Sequence, residues 1–163
     1  MSNFIPDFGL NTASAPIPFF EDSQKHGVPG RGTTKTINTL QDEIASLLLR
    51  LDAFSIYFVP GIYPGQTKRY GFQIFFQFAT AKGRLDCAAL PIRKETPTKK
   101  NDAQKQALYL LRNELEAMLF ARIYKPGAFP LVPYLIGEGN KTVTEALIER
   151  GNLPALTSGG HHG

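Results

Sequence analysis

The first pattern in the chain is helical. Between Thr34 and Leu51 the apolar residues recur at steps of three and four, which is one face of an amphipathic helix. They are Ile37, Leu40, Ile44, Leu47, Leu48 and Leu51. Candidate N-caps precede this face, because a side-chain oxygen there can accept from the first free N–H groups; they are Thr36, Asn38 and Thr39. We therefore predict a helix over this segment.

Three segments that follow alternate with the period of two that is typical of β-strands. The first, FSIYFVPG, is predicted to end at Pro60-Gly61, with one face made of Phe54, Ile56 and Phe58. The second is YGFQIFFQFAT, and the third, GRLDCAALPIR, follows through the turn signal TAKG. In the second strand, one face carries Phe72, Ile74, Phe76 and Phe78. Short links between consecutive strands predict an antiparallel meander.

A second long helix is predicted after the basic linker RKETPTKK. It reads NDAQKQALYLLRNELEAMLFARIY, with Asn101 or Asp102 as its cap. Its apolar stripe is Leu108, Leu111, Leu115, Met118 and Leu119. Further on, Thr142 and Glu145 have the spacing of a capping box, which predicts a short helix ending at Arg150.

The predicted element order is α-β-β-β-α-α. A three-stranded sheet needs one face covered, and two long amphipathic helices can cover it, so we predict a two-layer α+β domain. This domain spans residues 33–157. Residues 1–32 lack periodicity and are predicted to form a flexible or loosely docked arm, and residues 158–163 a disordered tail.

Charge is distributed unevenly along the chain. Residues 68–105 contain nine basic and three acidic residues, whereas the whole chain has a net charge of only +4. Such a concentration is typical of a surface for a polyanion, although solvated lysines in turns would give the same count. No apolar run approaches the roughly 20 residues that a bilayer requires, and no secretory signal is recognisable. Together with the single cysteine, this predicts a cytoplasmic protein without a membrane partner.

Few residues point to catalysis. The histidines are His26, in the arm, and His161 and His162, in the tail. Cys87 has the strand parity of a buried residue, and Asp86 is a single carboxylate with Arg84 beside it to pair with. No metal-ligand spacing and no phosphate-binding glycine motif occurs. We therefore expect a protein that is not an enzyme and has no cofactor or metal.

The second face of the middle strand carries Gln73, Phe75 and Gln77, and alternation places Tyr57, Arg84 and Asp86 beside them. Such a face can stack and hydrogen-bond single-stranded bases, so Tyr57 and Phe75 are the predicted stacking residues. The predicted phosphate contacts are Lys68, Arg69, Lys82, Arg84, Arg93, Lys94, Lys99 and Lys100. The open alternatives are that the N-terminal arm covers this face, or that a second subunit does.

Three segments, LLRNELEAM, PYLIGEGNKTV and RGNLPAL, lie within a layout of helix, meander, helix and turn-helix from about Thr34 to Leu156. In this layout the chain resembles an uncharacterised family of small proteins from bacteriophages, prophages and other mobile elements. Genes of that family often neighbour DNA replication and recombination genes. The resemblance implies an accessory protein of phage-type replication or recombination. Together with the predicted stacking face and basic residues, this leads us to expect binding of nucleic acid, with single-stranded DNA favoured. The alternative expectation is an assembly module that forms a homo-oligomer or binds a partner through the arm and the open sheet face.

Overall fold

A computed structural model describes residues 17–150, so the predicted tail and the first half of the predicted arm lie outside the described residues. The helices are α1 (Ile37–Arg50), α2 (Pro97–Tyr124) and α3 (residues 143–150). The strands are β1 (Ala53–Tyr63), β2 (Arg69–Phe78) and β3 (Ala81–Ala88), in one antiparallel sheet of order β1-β2-β3. The predicted α+β class and element order are confirmed.

The core lies between the sheet and two helices. Helix α1 packs on β1, and α2 packs on β2 and β3. On the core side of β2, Phe72, Ile74 and Phe76 are buried, as their alternation predicts. Gly83 on β3 makes room for one of these rings, because a Cβ there would lie 2.2 Å from Phe76 Cζ. Within residues 17–150, no helix has both the length and the apolar character needed to cross a bilayer.

Helix α2 begins earlier than its sequence prediction. Its N-cap is Thr96, whose hydroxyl accepts from Lys99 N at 3.1 Å, and Pro97 occupies the first turn. Proline suits that position because its missing N–H has no helical partner there. The prediction of Asn101 or Asp102 as the cap was therefore wrong. Half of the predicted basic linker is helical, and Lys99 and Lys100 have fixed positions in the first turn.

Strand β1 differs from its prediction in extent and in register. It continues through Pro60, which an edge strand tolerates because, within residues 17–150, no strand pairs with its outer side. A bulge at Ser55, where φ is 53°, then inverts the parity of the residues before it. Phe54 consequently lies opposite Gln77 and is 42% exposed. Its predicted place on the face of Ile56 and Phe58 was wrong.

The link between β2 and β3 is shorter than the predicted turn. Only Ala79 and Thr80 separate the strands, with Ala79 at a φ of 53°. Lys82, predicted in the turn, therefore lies in β3 opposite Gln77. A side chain in a paired strand has a defined direction, so the position of Lys82 is fixed relative to the sheet.

Residues 17–32 pack on their own chain. Phe20 is buried in the core, and its N–H donates to Pro91 O at 2.8 Å. Farther along, the buried Gln106 donates from Nε2 to Pro29 O at 3.2 Å, and Gly30 lies against the ring of Tyr109. This part of the predicted arm is thus a docked segment of the domain.

Glu21 anchors this segment to the start of α2. Its carboxylate accepts from the N–H groups of Arg93 at 3.0 Å and Lys94 at 2.9 Å, and from Lys99 Nζ at 3.1 Å. Partial burial favours the neutral carboxyl, but these three donors together favour the charged form. The net result lowers the pKa of Glu21 from 4.5 to about 2.

The Glu21 contacts predict a defined pH dependence of stability. Because its folded-state pKa is lowered, Glu21 stabilises the fold fully above pH 4.5 and loses this contribution as the pH falls towards 2. The carboxylate is partly exposed, so we expect Glu21→Gln to lower the free energy of unfolding by about 1 kcal/mol at neutral pH. Urea unfolding at several pH values should show that the difference in unfolding free energy between wild type and Glu21→Gln shrinks towards zero near pH 2. The control is Glu95→Gln, since the pair of Glu95 with Lys68 is partly exposed, and its effect should be smaller.

Candidate functional site

The sheet has a face that points away from α1 and α2, which we call the open face. It is built from four rows of cross-strand neighbours. The rows are Phe54 with Gln77 and Lys82, Tyr57 with Phe75 and Arg84, Val59 with Gln73 and Asp86, and Gly61 with Gly71 and Ala88. The first two rows contain three aromatic residues, one amide and two cations, and the third contains an amide and a carboxylate. Each row combines one residue from every strand, so the face depends on the register of the whole sheet.

An aromatic pair stands at the centre of the open face. The rings of Tyr57 and Phe75 stack with centroids 5.0 Å apart and planes 15° from parallel. Tyr57 remains 57% exposed despite this contact. An exposed tyrosine ring offers a flat apolar face and a polar hydroxyl to a ligand. The structure thus joins the two predicted stacking residues into one aromatic surface.

Asp86 organises the polar row. Its carboxylate accepts from Gln73 Nε2 at 3.1 Å and from Arg84 Nε at 3.0 Å. The hydroxyl of Tyr63 also lies 3.0 Å from Asp86 Oδ1. Asp86 therefore positions the side chains of Gln73, Arg84 and Tyr63.

Tyr63 reaches from β1 across the central strand to β3. Its hydroxyl lies 2.8 Å from Phe72 O and accepts from Cys87 N at 3.2 Å. Burial, followed by the negative charge of Asp86, raises the pKa of Tyr63 well above its ordinary value. The ring fits because Gly71 lies beneath it, where a Cβ would be 2.6 Å from Tyr63 Cε2.

Arg84 joins α3 to the sheet. Besides its bond to Asp86, it donates to Glu145 Oε1 at 2.6 Å and to Asn140 O at 3.1 Å. Only 11% of its side chain is exposed. Arg84 was predicted to contact phosphate, but in this structure its guanidinium donates to three acceptors of the protein itself.

Glu145 also forms part of the N-terminal cap of α3. It accepts from Thr142 N at 2.9 Å, and its own N–H donates to Thr142 Oγ1 at 3.2 Å. This reciprocal pair confirms the predicted capping box. The Thr142 N–H, with help from the positive charge of Arg84, lowers the pKa of Glu145 below its usual range.

A cleft of about 640 Å³ opens beside the aromatic pair. Its lining includes Phe75, Gln77, Thr80, Lys82, Gly137 and Asn140. The wall formed by residues 136–140 is held to β3, because Ile136 N donates to Lys82 O at 2.7 Å. The cleft is therefore part of the open face and not a separate site.

Six of the predicted phosphate contacts lie away from the aromatic pair. They are found at the other end of the sheet, near the start of β2 and after the end of β3. We call this region the basic end; it contains Lys68, Arg69, Arg93, Lys94, Lys99 and Lys100. Since β2 has ten residues, about 30 Å of strand separates its two ends. The structure thus groups Lys82 and Arg84 with Tyr57 and Phe75, and places the other six together elsewhere.

Most cations of the basic end already have partners. The ammonium groups of Lys68 and Lys100 lie 4.8 and 4.6 Å from the ring centroid of Tyr70. Arg93 pairs with Asp22, and Lys99 with Glu21. The guanidinium of Arg69 donates to two main-chain carbonyl groups, of Ala88 and Ala89.

Sequence reasoning missed Tyr63 and the wall of residues 136–140. Tyr63 has the parity of Tyr57 and Val59, but that signal is visible only if β1 is continued through Pro60-Gly61. The wall has no local signal, because its place depends on contacts with β3, more than 50 residues earlier in the chain.

The catalytic and metal-binding candidates are not supported by geometry. Cys87 is buried, and burial raises the pKa of its thiol to about 12. Among residues 17–150, no group of three or more His, Cys, Asp and Glu side chains is placed to hold a metal ion. His26 forms no ion pair within the same part of the chain.

The crossing of Tyr63 over Gly71 predicts a strong effect of one methyl group. We expect Gly71→Ala to lower the free energy of unfolding by about 2–3 kcal/mol, because its Cβ would meet both Cys87 O and the Tyr63 ring. The matched control is the cross-strand neighbour Gly61, where a Cβ would meet nothing within 4 Å. Gly61→Ala should change stability by less than about 0.5 kcal/mol in the same urea titration. Equal effects of the two substitutions would contradict the described packing.

No family model, no curated protein and no solved structure matches this chain. The resemblance to a phage-associated family therefore stays a prediction. The function has to be inferred from the side chains that the open face and the basic end present.

Proposed function

We propose that the protein binds single-stranded nucleic acid, in the first instance DNA, on the open face of its sheet. In this proposal it is a non-enzymatic accessory protein of phage-type replication or recombination. The observation that carries the proposal is the stack of the exposed Tyr57 ring on the half-buried Phe75 ring, flanked by two glutamine amides on a face that α1 and α2 leave uncovered. The phage setting comes only from the family resemblance.

The chemistry of the central rows suits unpaired bases. Every base offers a π-face, so an exposed ring such as Tyr57 can stack with any of them, and each such stack contributes about 1–3 kcal/mol. The amide of Gln77 can both donate to and accept from a base edge. A duplex hides its base faces, which favours a single strand as the ligand.

The open face also carries a cation suited to phosphate. Lys82 is exposed, and among residues 17–150 no carboxylate lies within 4 Å of its ammonium group. At the basic end, the pairs of Lys68 with Glu95 and of Arg93 with Asp22 are partly exposed, and such pairs contribute little to stability. They can therefore exchange a carboxylate for a phosphate at low cost. The proposal assigns no phosphate contact to Arg84 or Arg69.

Features of β1 argue against the addition of a strand from a partner. The side chains of Phe54, Tyr57 and Val59 are exposed, which on an unprotected edge would invite pairing. However, the bulge at Ser55 and the proline at position 60 both interrupt the outer side of this edge. A ligand that lies across the face fits this arrangement better than one that extends the sheet.

The test is a titration of a labelled 20-nucleotide single strand at about 50 mM salt, where electrostatic affinity is high. We expect binding of DNA, weaker binding of the duplex, and a loss of about tenfold in affinity for Tyr57→Ala, because one stacking partner is removed. The control is Tyr124→Ala, an aromatic residue that is 70% exposed at the end of α2. It should leave the affinity unchanged.

Two results would contradict the proposal. One is the absence of binding at low salt by a folded chain. The other is binding that Tyr57→Ala and Tyr124→Ala weaken equally, since the open face would then have no special role. Thermal unfolding of each variant separates lost contacts from lost folding.

A second candidate function, assembly with another copy of the chain, is favoured by the end of α2. The last buried residue of this helix is Leu115, yet apolar side chains continue beyond it. Phe120, Ile123 and Tyr124 are 51%, 78% and 70% exposed. Such a projecting apolar end is a candidate contact between subunits. In residues 17–32, Phe20 is buried in the core of its own chain, and this segment is not needed for the contact.

Light scattering of the purified chain tests this alternative. If the chain is an oligomer, Ile123→Lys should shift it towards the monomer, because the charge would have to be buried in the contact. The control is Val59→Lys, which places the same charge on the open face, at a residue that is 41% exposed. A wild-type chain that is monomeric at all accessible concentrations would count against assembly.

A further inference from the structure

We infer that the cleft beside Phe75 holds one base of the bound strand, turned out of the stack, and so gives the protein a base preference at one position. This inference rests on the proposed function, because the base arrives as part of a strand lying on the open face. It goes further by assigning the occupant of the cleft and the groups that would select it.

The size of the cleft is that of a small-molecule site. Its volume of about 640 Å³ lies within the range of about 300–1,000 Å³ that is usual for small-molecule sites. Phe75 belongs both to the aromatic pair and to the cleft lining. A base in the cleft would therefore lie next to the same ring that supports the stack. Stacking without sequence preference needs only a flat surface. We therefore take the cleft as a site that one base can enter while its neighbours stack on the face.

The polar groups of the cleft match a base and its phosphate. Among residues 17–150, the Gln77 amide has no hydrogen-bond partner, unlike that of Gln73, which donates to Asp86. A free amide in a cleft can read the donor and acceptor pattern of a base edge. Lys82, its cross-strand neighbour, supplies the positive charge that complements the adjoining phosphate.

The far wall of the cleft is preorganised. Besides the bond from Ile136 N to Lys82 O, Gly137 N donates to Lys141 O at 2.9 Å, and Arg84 donates to Asn140 O at 3.1 Å. A wall held in this way does not have to be ordered when the ligand binds, which reduces the entropic cost of selectivity.

Two measurements test the inference. The first compares the affinities for dT, dC and dA homopolymers of one length, and the second moves a single abasic site along the preferred strand. We expect one homopolymer to bind at least about fivefold more tightly than the weakest, and one abasic position to cost more than the others. Gln77→Met keeps the length of the side chain but removes the amide, and it should reduce both differences. Gln73→Met is the matched control and should preserve them.

The outcomes separate the cleft from the proposed function. Equal affinity for all three homopolymers, with equal cost of every abasic position, overturns the cleft inference and leaves strand binding in place. Retained differences in Gln77→Met overturn it in the same way. If no oligonucleotide binds, thermal unfolding with millimolar nucleoside monophosphates decides: stabilisation that Gln77→Met abolishes supports the cleft alone, and its absence overturns both.

Discussion

The pleat of β2 is the constraint on which the rest of the structure depends. As the central strand, it pairs on both edges, so each of its side chains points either into the core or onto the open face. Phe72, Ile74 and Phe76 satisfy the core, which leaves Gln73, Phe75 and Gln77 on the other side. A shift of one residue would exchange the two sets and expose three large apolar side chains. Burial of the core therefore also fixes the chemistry of the open face.

The sequence predicts those parts of the fold that local patterns determine. The helical stripe of α1, the alternation of β2 and the capping box at Thr142 all act over a few residues, and all are found in the structure. The errors arose where one residue has two structural uses. Pro60 usually ends a strand but is accepted at an edge, and Pro97 usually breaks a helix but is favoured in its first turn. Edge position and N-terminal position are properties of the assembled fold.

The candidate site likewise has features that local patterns predict and features that depend on distant parts of the chain. The pairing of Tyr57 with Phe75 follows from alternation and antiparallel order, so it could be anticipated. The sequence also places Asp86 beside Arg84, but the second carboxylate partner of Arg84 could not be anticipated, because Glu145 lies 61 residues later and is brought near only by the folding of the C-terminal segment. Counting charges along the chain assigns Arg84 to a basic surface. The three-dimensional structure instead makes it a tie between the sheet and α3.

The double use of Glu145 has a consequence for local unfolding. The same carboxylate caps α3 and pairs with Arg84, so loss of the cap and release of α3 from the sheet favour one another. Detachment would therefore free one side of the Arg84 guanidinium, beside Phe75, while Asp86 still accepts from its Nε. By linkage, any anion that binds this guanidinium favours the detached form, and the firm docking of α3 in turn weakens that anion. Docking of α3 and binding of an anion at Arg84 therefore oppose each other in a single equilibrium.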